Sequence, residues 1–190
     1  MSKIVIMVGH ARRDTFCEAL GDAYRRSAER AGHTATMFVT SRMTFDPLLH
    51  VGFNEIQALE PDLQVAHDAM LEADHLVLIF PLWLGTLPAI FKGFLERVLQ
   101  PDLVEPAHRG QYKQVLKGKS ARIIVTMGMP SLIYRWYYGA CAIRMLKRNI
   151  LEFMGVSPVH STLFGAVESV KPARRQAWIA EIEALGRTAA

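Results

Sequence analysis

The chain has 190 residues, 51% of them apolar and 21% charged, with 22 Lys and Arg against 18 Asp and Glu. Such a length and apolar fraction suit one α/β domain with a sizeable core, and they exclude a disordered, fibrous or low-complexity chain. A net charge of +4, dispersed without a basic run, permits contact with phosphates but offers no nucleic-acid tail.

Apolar runs of strand length alternate along the chain with segments of helical period. Ile4 to Val8 reads as a strand buried on both faces. Phe16, Ala19, Leu20, Ala23, Tyr24 and Ser27 then mark the inner face of a helix, with Arg25, Arg26 and Glu29 opposite and Gly32 closing it. Ala35 to Val39 is a second, weaker strand. Thr40 to Pro61 has no clear period, and an irregular stretch of that length in a compact domain is usually functional. A helix from Asp62 to Glu72 and the strand Leu76 to Phe80 follow. A third helix opens at Pro88, a good first-turn residue, and buries Ile90, Phe91, Phe94, Leu95 and Val98. Ala121 to Met127 is the fourth strand, Tyr138 to Met154 the fourth helix, and Val159 to Phe164 the fifth strand. The last helix, Pro172 to Arg187, turns Trp178, Ile179, Ile182 and Leu185 inward. Alternation of this kind predicts a parallel sheet with right-handed crossovers and helices on both faces, in one domain over residues 1–190.

Cys17 and Cys141 form no C-x-x-C pair, which argues against a disulfide-stapled fold. The seven histidines show no i, i+3 or i, i+4 pairing, so no helical metal site is expected. The apolar start is too short for a signal peptide, and the uncharged stretch Leu76 to Phe91 is broken by Pro81, Gly85 and Pro88. The expectation is a soluble, cytoplasmic protein without membrane insertion or nucleic-acid partner.

In a doubly wound sheet the ligand sits beyond the carboxyl ends of the strands. The loops after strands one, three and four are therefore the candidates. After strand one, the Thr15 hydroxyl and the amides of Phe16 and Cys17 stand at a helix start beside His10, Arg12 and Arg13, a ready anion site. Thr15-x-x-Glu18 is equally a capping box that needs no ligand. After strand three, Phe80-Pro81-Leu82-Trp83-Leu84 is apolar where a loop is normally polar, which suits a flat aromatic ligand, a partner subunit or a loop tucked inward. After strand four, Tyr134, Trp136, Tyr137 and Tyr138 surround a single Arg135, too thin a basic track for nucleic acid. That segment reads as a stacking wall or a subunit contact.

Together these loops resemble the flavodoxin-like NAD(P)H dehydrogenase (quinone) family, which also includes modulators of drug activity. Gly9-His10-x-Arg12-x-Asp14-Thr15-Phe16 is similar to its phosphate loop. Phe80-Pro81-Leu82-Trp83, followed by Pro88-Ala89-Ile90-Phe91-Lys92-Gly93-Phe94-Leu95-Glu96-Arg97-Val98, is the more specific string. The resemblance implies a five-stranded sheet of order 2-1-3-4-5 and a homodimer with its substrate pocket at the subunit interface. It implies a flavin, FMN rather than FAD on the slight ground that the chain has no extension beyond the core. The flavin phosphate would meet His10, Thr15, Phe16 and Cys17. The ring would lie against Pro81, Leu82, Trp83 and Leu84, with Thr126, Met127 and Gly128 along its other edge, and Tyr134 matches the family's active-site tyrosine. The implied activity is two-electron transfer from NAD(P)H through flavin to a quinone or similar aromatic acceptor, by ping-pong. The alternative is an ancillary regulatory subunit of a glutathione-gated potassium efflux system. The chain departs from the family pattern at Cys17, Leu84, Met127, Met129 and Gly139 to Ala142.

Overall fold

A computed structural model describes residues 1–52, 55–100, 106–108, 111–112 and 114–189. Strands β1 (Lys3–Val8), β2 (Thr34–Val39), β3 (His75–Pro81), β6 (Ser120–Thr126) and β7 (Val159–Phe164) form an all-parallel sheet in the order β2-β1-β3-β6-β7. This is the order 2-1-3-4-5 expected from the resemblance, once a short antiparallel pair, β4 (Pro106–His108) and β5 (Gln111–Tyr112), is set aside. The helices are α1 (Phe16–Arg30), α2 (Pro61–Glu72), α3 (Ala89–Val98), α4 (Ser131–Trp136), α5 (Cys141–Met145) and α6 (Pro172–Thr188).

The central strands are apolar throughout because both of their faces are covered. Ile4, Ile6 and Val8 of β1, with Val77 and Ile79 of β3, pack against Leu20, Ala23, Tyr24, Trp178 and Ile182 of α1 and α6. Alternate residues, Val5 and Met7 with Leu76, Leu78 and Phe80, pack on the other face against Leu63, Phe91, Phe94 and Leu95 of α2 and α3. Each fully buried side chain of this size contributes about 1.5–3 kcal/mol, so the two faces outweigh the modest intrinsic helix preferences. Register brings the strand ends together: Val8 lies beside Ile79, Pro81 beside Thr126, and Thr126 beside Phe164. The loops that follow β1, β3 and β6 consequently leave one rim of the sheet.

The irregular segment between β2 and α2 is held by α3. The Arg97 guanidinium, 1% exposed, donates to the carbonyls of Asp46 and Ala58 and to both Glu60 oxygens, at 3.1 and 2.8 Å. The Gln100 side chain exchanges two further bonds with the backbone of Gln57. Only a short helical turn at Thr40–Arg42 interrupts the irregularity, as the missing period predicts.

Two readings of the sequence are corrected. Ala19 is exposed, whereas Leu20, Ala23, Tyr24 and Ser27 are buried as expected and Cys17, Gly21 and Ala28 complete the inner face of α1. The fourth helix does not start at Tyr138. Gly139 and Ala140 take left-handed backbone, φ 61° and 49°, so α5 starts at Cys141 and passes into a wider helical turn over Leu146–Glu152. Ahead of that break, Pro130 initiates α4 inside what reads as loop.

Candidate functional site

The β1–α1 loop begins at Gly9, whose amide bonds the Ile79 carbonyl at 2.8 Å and whose missing Cβ leaves room for the Phe91 ring. The imidazole of His10 accepts the Arg12 amide at Nδ1, 2.9 Å, which leaves its proton on Nε2. Burial, reinforced by the Arg12 charge and only partly opposed by Glu18, lowers the His10 pKa. Neutral His10 therefore offers an Nε2–H donor. Thr40, at the end of β2, receives the His10 amide at 3.1 Å and donates to the His10 carbonyl at 3.0 Å, fixing the loop from below.

Asp14 takes left-handed backbone, φ 55°, and turns the chain into α1. Thr15 is the N-cap, but its hydroxyl accepts from the Glu18 amide at a long 3.4 Å. The Glu18 carboxylate reaches back to the Asp14 amide at 2.9 Å. The capping box is thus present, shifted by one residue, and it leaves the Thr15 hydroxyl hydrogen free to donate. The amides of Phe16 and Cys17, in the first turn, have no intrahelical carbonyl to bond. Arg42 pairs with Glu18 at 2.7 Å and Asp14 at 2.8 Å, neutralising the carboxylates next to these donors. Thr40 and Arg42 were not singled out in the sequence; their only signal was position, directly after the second strand.

After β3, Leu82 bonds the Thr126 carbonyl through its amide at 2.8 Å. Trp83 and Thr86 then exchange both backbone bonds, at 2.9 and 3.0 Å, around a two-residue turn at Leu84 and Gly85 with φ of 47° and 80°. Leu84 is fully exposed and Trp83 is 41% exposed, whereas Pro81 is buried. The Trp83 and His10 rings meet edge to face, with centroids 5.0 Å apart.

After β6, Thr126 is buried, and its hydroxyl meets the Cys17 thiol at 3.3 Å. Burial pushes the Cys17 pKa up to about 11, only partly offset by that bond, so the thiol stays protonated. Met127 gives its amide to the Phe164 carbonyl at 2.9 Å. A Cβ on Gly128 would find no protein atom within 4 Å, so open space adjoins the backbone there.

Three contacts thus join the three loops in pairs: His10 to Trp83, Cys17 to Thr126, and Leu82 to Thr126. Of the residues singled out in the sequence, His10, Thr15, Cys17, Trp83, Thr126 and the amide of Phe16 converge on one rim. The Phe16 ring instead turns toward Trp178, centroids 6.2 Å apart. Tyr134 stands apart, 1% exposed among core residues, with its hydroxyl accepting the Ala142 amide at 3.1 Å. Burial raises its pKa against those backbone bonds. That bond joins α4 to α5 and leaves the phenol its hydrogen, while Trp136, Tyr137 and Tyr138 are exposed.

The residues present fit the phosphate and ring of a flavin. Unbonded amides, a hydroxyl and a neutral imidazole N–H are donors for a phosphate. The open space beside Gly128 and the half-exposed Trp83 ring suit a flat ligand.

Sheet order defines a flavodoxin-like α/β protein. Residues 2–185 match the model of a family described as having the flavodoxin-like fold, and the chain belongs to that family. A Haemophilus influenzae protein named uncharacterized NAD(P)H oxidoreductase is 25% identical over 185 residues, covering 94% of this chain and 91% of that protein. The glutathione-regulated potassium-efflux system ancillary protein KefG of Serratia proteamaculans is 32% identical over 104 residues, covering 51% of this chain and 55% of that protein. Among solved structures, the NAD(P)H:quinone oxidoreductase of Methanothermobacter marburgensis superposes with a TM-score of 0.79 at 21% identity, covering 98% of this chain and 95% of that one, a likeness of fold. No helix among the described residues is long and apolar enough to cross a membrane.

Proposed function

We propose that this chain is a cytoplasmic, flavin-dependent NAD(P)H:quinone oxidoreductase, acting through one flavin-binding domain in a homodimer. The observation that carries the reading is the pairwise joining of the three loops, which sets an anion site and an aromatic-lined opening on one rim. The oxidoreductase relative, matched over nine-tenths of both chains, supports the same class. The ancillary-subunit alternative draws on a likeness over only about half of each chain, and it ranks second.

FMN bound here supplies the hydride chemistry, so no side chain need react. The protein's share is to hold, orient and exclude water. His10 Nε2–H, the Thr15 hydroxyl and the amides of Phe16 and Cys17 hold the phosphate, with Arg42 cancelling the charge of Glu18. Pro81, Leu82, Trp83 and Leu84 would hold the ring, with Thr126, Met127 and Gly128 along its other edge. The Met127 amide is committed to Phe164, so Gly128 carries the first amide after β6 able to stabilise negative charge at the ring edge. Tyr134 is a positioning residue that fixes α4 against α5. Donor and acceptor use one opening in turn, which makes the kinetics ping-pong. Leu132, Ile133, Trp136 and Tyr137, all exposed on or beside α4, form the apolar surface for the second copy.

The test is an anaerobic titration of FMN-reconstituted protein with NADPH and then NADH, following visible absorbance. Two-electron bleaching reversed by a quinone supports the reading and names the donor. Protein that takes up no FMN, or FMN that neither nucleotide reduces, refutes it and moves the ancillary-subunit reading to first place.

A further inference from the structure

A second opening lies at the outer edge of β7, beside the start of α4. It is a cavity of about 280 Å³ lined by Ser131, Leu132 and Arg135 of α4, Ser161, Thr162 and Leu163 of β7, and Glu181 of α6. Because β7 ends the sheet, one side of its backbone has no neighbouring strand and leaves N–H and C=O groups open to a ligand. α4 packs Tyr134 into the core on one face of the sheet, and α6 packs Trp178 and Ile182 into the core on the other. Arg135 and Glu181 therefore approach the edge from opposite faces.

The two charges line one cavity, yet no ion pair or hydrogen bond joins them, and neither has such a partner among the described residues. Arg122 feels the Glu181 carboxylate through space while donating to the Thr162 hydroxyl at 2.9 Å. Bonded in this way, Thr162 Oγ1 accepts from Arg122 and keeps its own hydrogen to donate. Ser131 and Ser161 add hydroxyls that both donate and accept. Guanidinium on one wall, carboxylate on the other and hydroxyls between them complement a molecule that carries both charges, and the volume lies just below the range for drug-sized ligands.

We propose that this cavity binds a free α-amino acid, its carboxylate on Arg135, its ammonium on Glu181 and its polar atoms along the β7 edge. Both charges are exposed, so desolvation is small on each side and the affinity falls in the millimolar range. The site needs no flavin, and its Leu132 borders the α4 surface proposed above for the second copy.

The experiment is a titration of the intact protein, labelled with 15N, by L-serine, followed by N-acetyl-L-serine and L-serinamide, which lack the ammonium and the carboxylate respectively. Saturable shifts of the Ser161, Thr162 and Leu163 amides are expected with L-serine, with at least tenfold weaker binding of either blocked compound. Arg135→Gln should erase the preference over serinamide, and Glu181→Gln the preference over N-acetylserine, each with an unchanged melting temperature. No shift at these amides up to 50-fold above about 1 mM overturns the proposal. So do shifts of equal midpoint in both variants, or equal affinity for all three compounds.

Discussion

Thr15→Ala separates a cap from a ligand contact. As a cap, the hydroxyl makes one 3.4 Å bond to the Glu18 amide, long enough to put its contribution at the low end of the usual range, about 0.5–1 kcal/mol. For a domain of this size that is about 1–4 °C in melting temperature. As a phosphate ligand, the same hydroxyl donates to a charged acceptor, where a hydrogen bond contributes about 1.5–3 kcal/mol, or roughly 10- to 150-fold in affinity. The apoprotein should therefore melt only slightly lower while the FMN dissociation constant, read by quenching of flavin fluorescence, rises at least tenfold. Thr15→Ser, which keeps the hydroxyl, should restore most of the affinity. Were the loss of FMN affinity no larger than the few-fold change equivalent to the loss of apoprotein stability, the hydroxyl would be a cap alone.

Three further outcomes follow from buried groups. Arg97→Met strands the Glu60 carboxylate and two carbonyls; with Glu60 itself 31% exposed, the cost should sit near about 3 kcal/mol, a fall of roughly 6–12 °C by calorimetry. Combining it with Glu60→Gln should cost clearly less than the sum of the two single changes, and strict additivity would mean that the pair does not anchor the segment. His75, stacked on Tyr24 with Nε2 buried and unbonded, has its pKa lowered to about 4 by burial and then by Arg122 and His160. Its folded pKa lies below the unfolded value of 6.5, so the unfolded state takes up the proton first and stability falls as pH drops from 6.5 toward 4. Urea denaturation at pH 7 and pH 4.5 should show about 2 kcal/mol more loss in the parent than in His75→Gln, and equal losses would remove His75 as the cause. Finally, a thiol reagent at pH 7.5 should modify exposed Cys141 quickly and leave Cys17, buried with a pKa of about 11, unmodified until the protein unfolds; mass mapping of the first adduct decides it.

The sheet was legible in the chain because strands covered on both faces leave unbroken apolar runs such as Ile4–Val8 and Leu76–Phe80, and because strand–helix alternation allows few topologies. The candidate loops stood out for a related reason: the apolar run Leu82 to Leu84 after β3 departs from ordinary loop composition. Local sequence could not show that Thr15 caps α1 with a stretched bond and so keeps its hydrogen, since that depends on where Glu18 and Arg42 meet. Nor could it show that the backbone break at Gly139 and Ala140 brings the start of α5 onto the Tyr134 oxygen. Periodicity cannot register the left-handed pair Gly139–Ala140, because it counts side chains and not dihedral angles. Residue type and spacing determined the layers and the loops of this protein. The state of each group within them, Cys17 protonated against Thr126, His10 neutral beside Arg12 and Tyr134 turned inward, was decided by contacts between residues far apart in the chain, because burial and neighbouring charge exist only once the chain has folded.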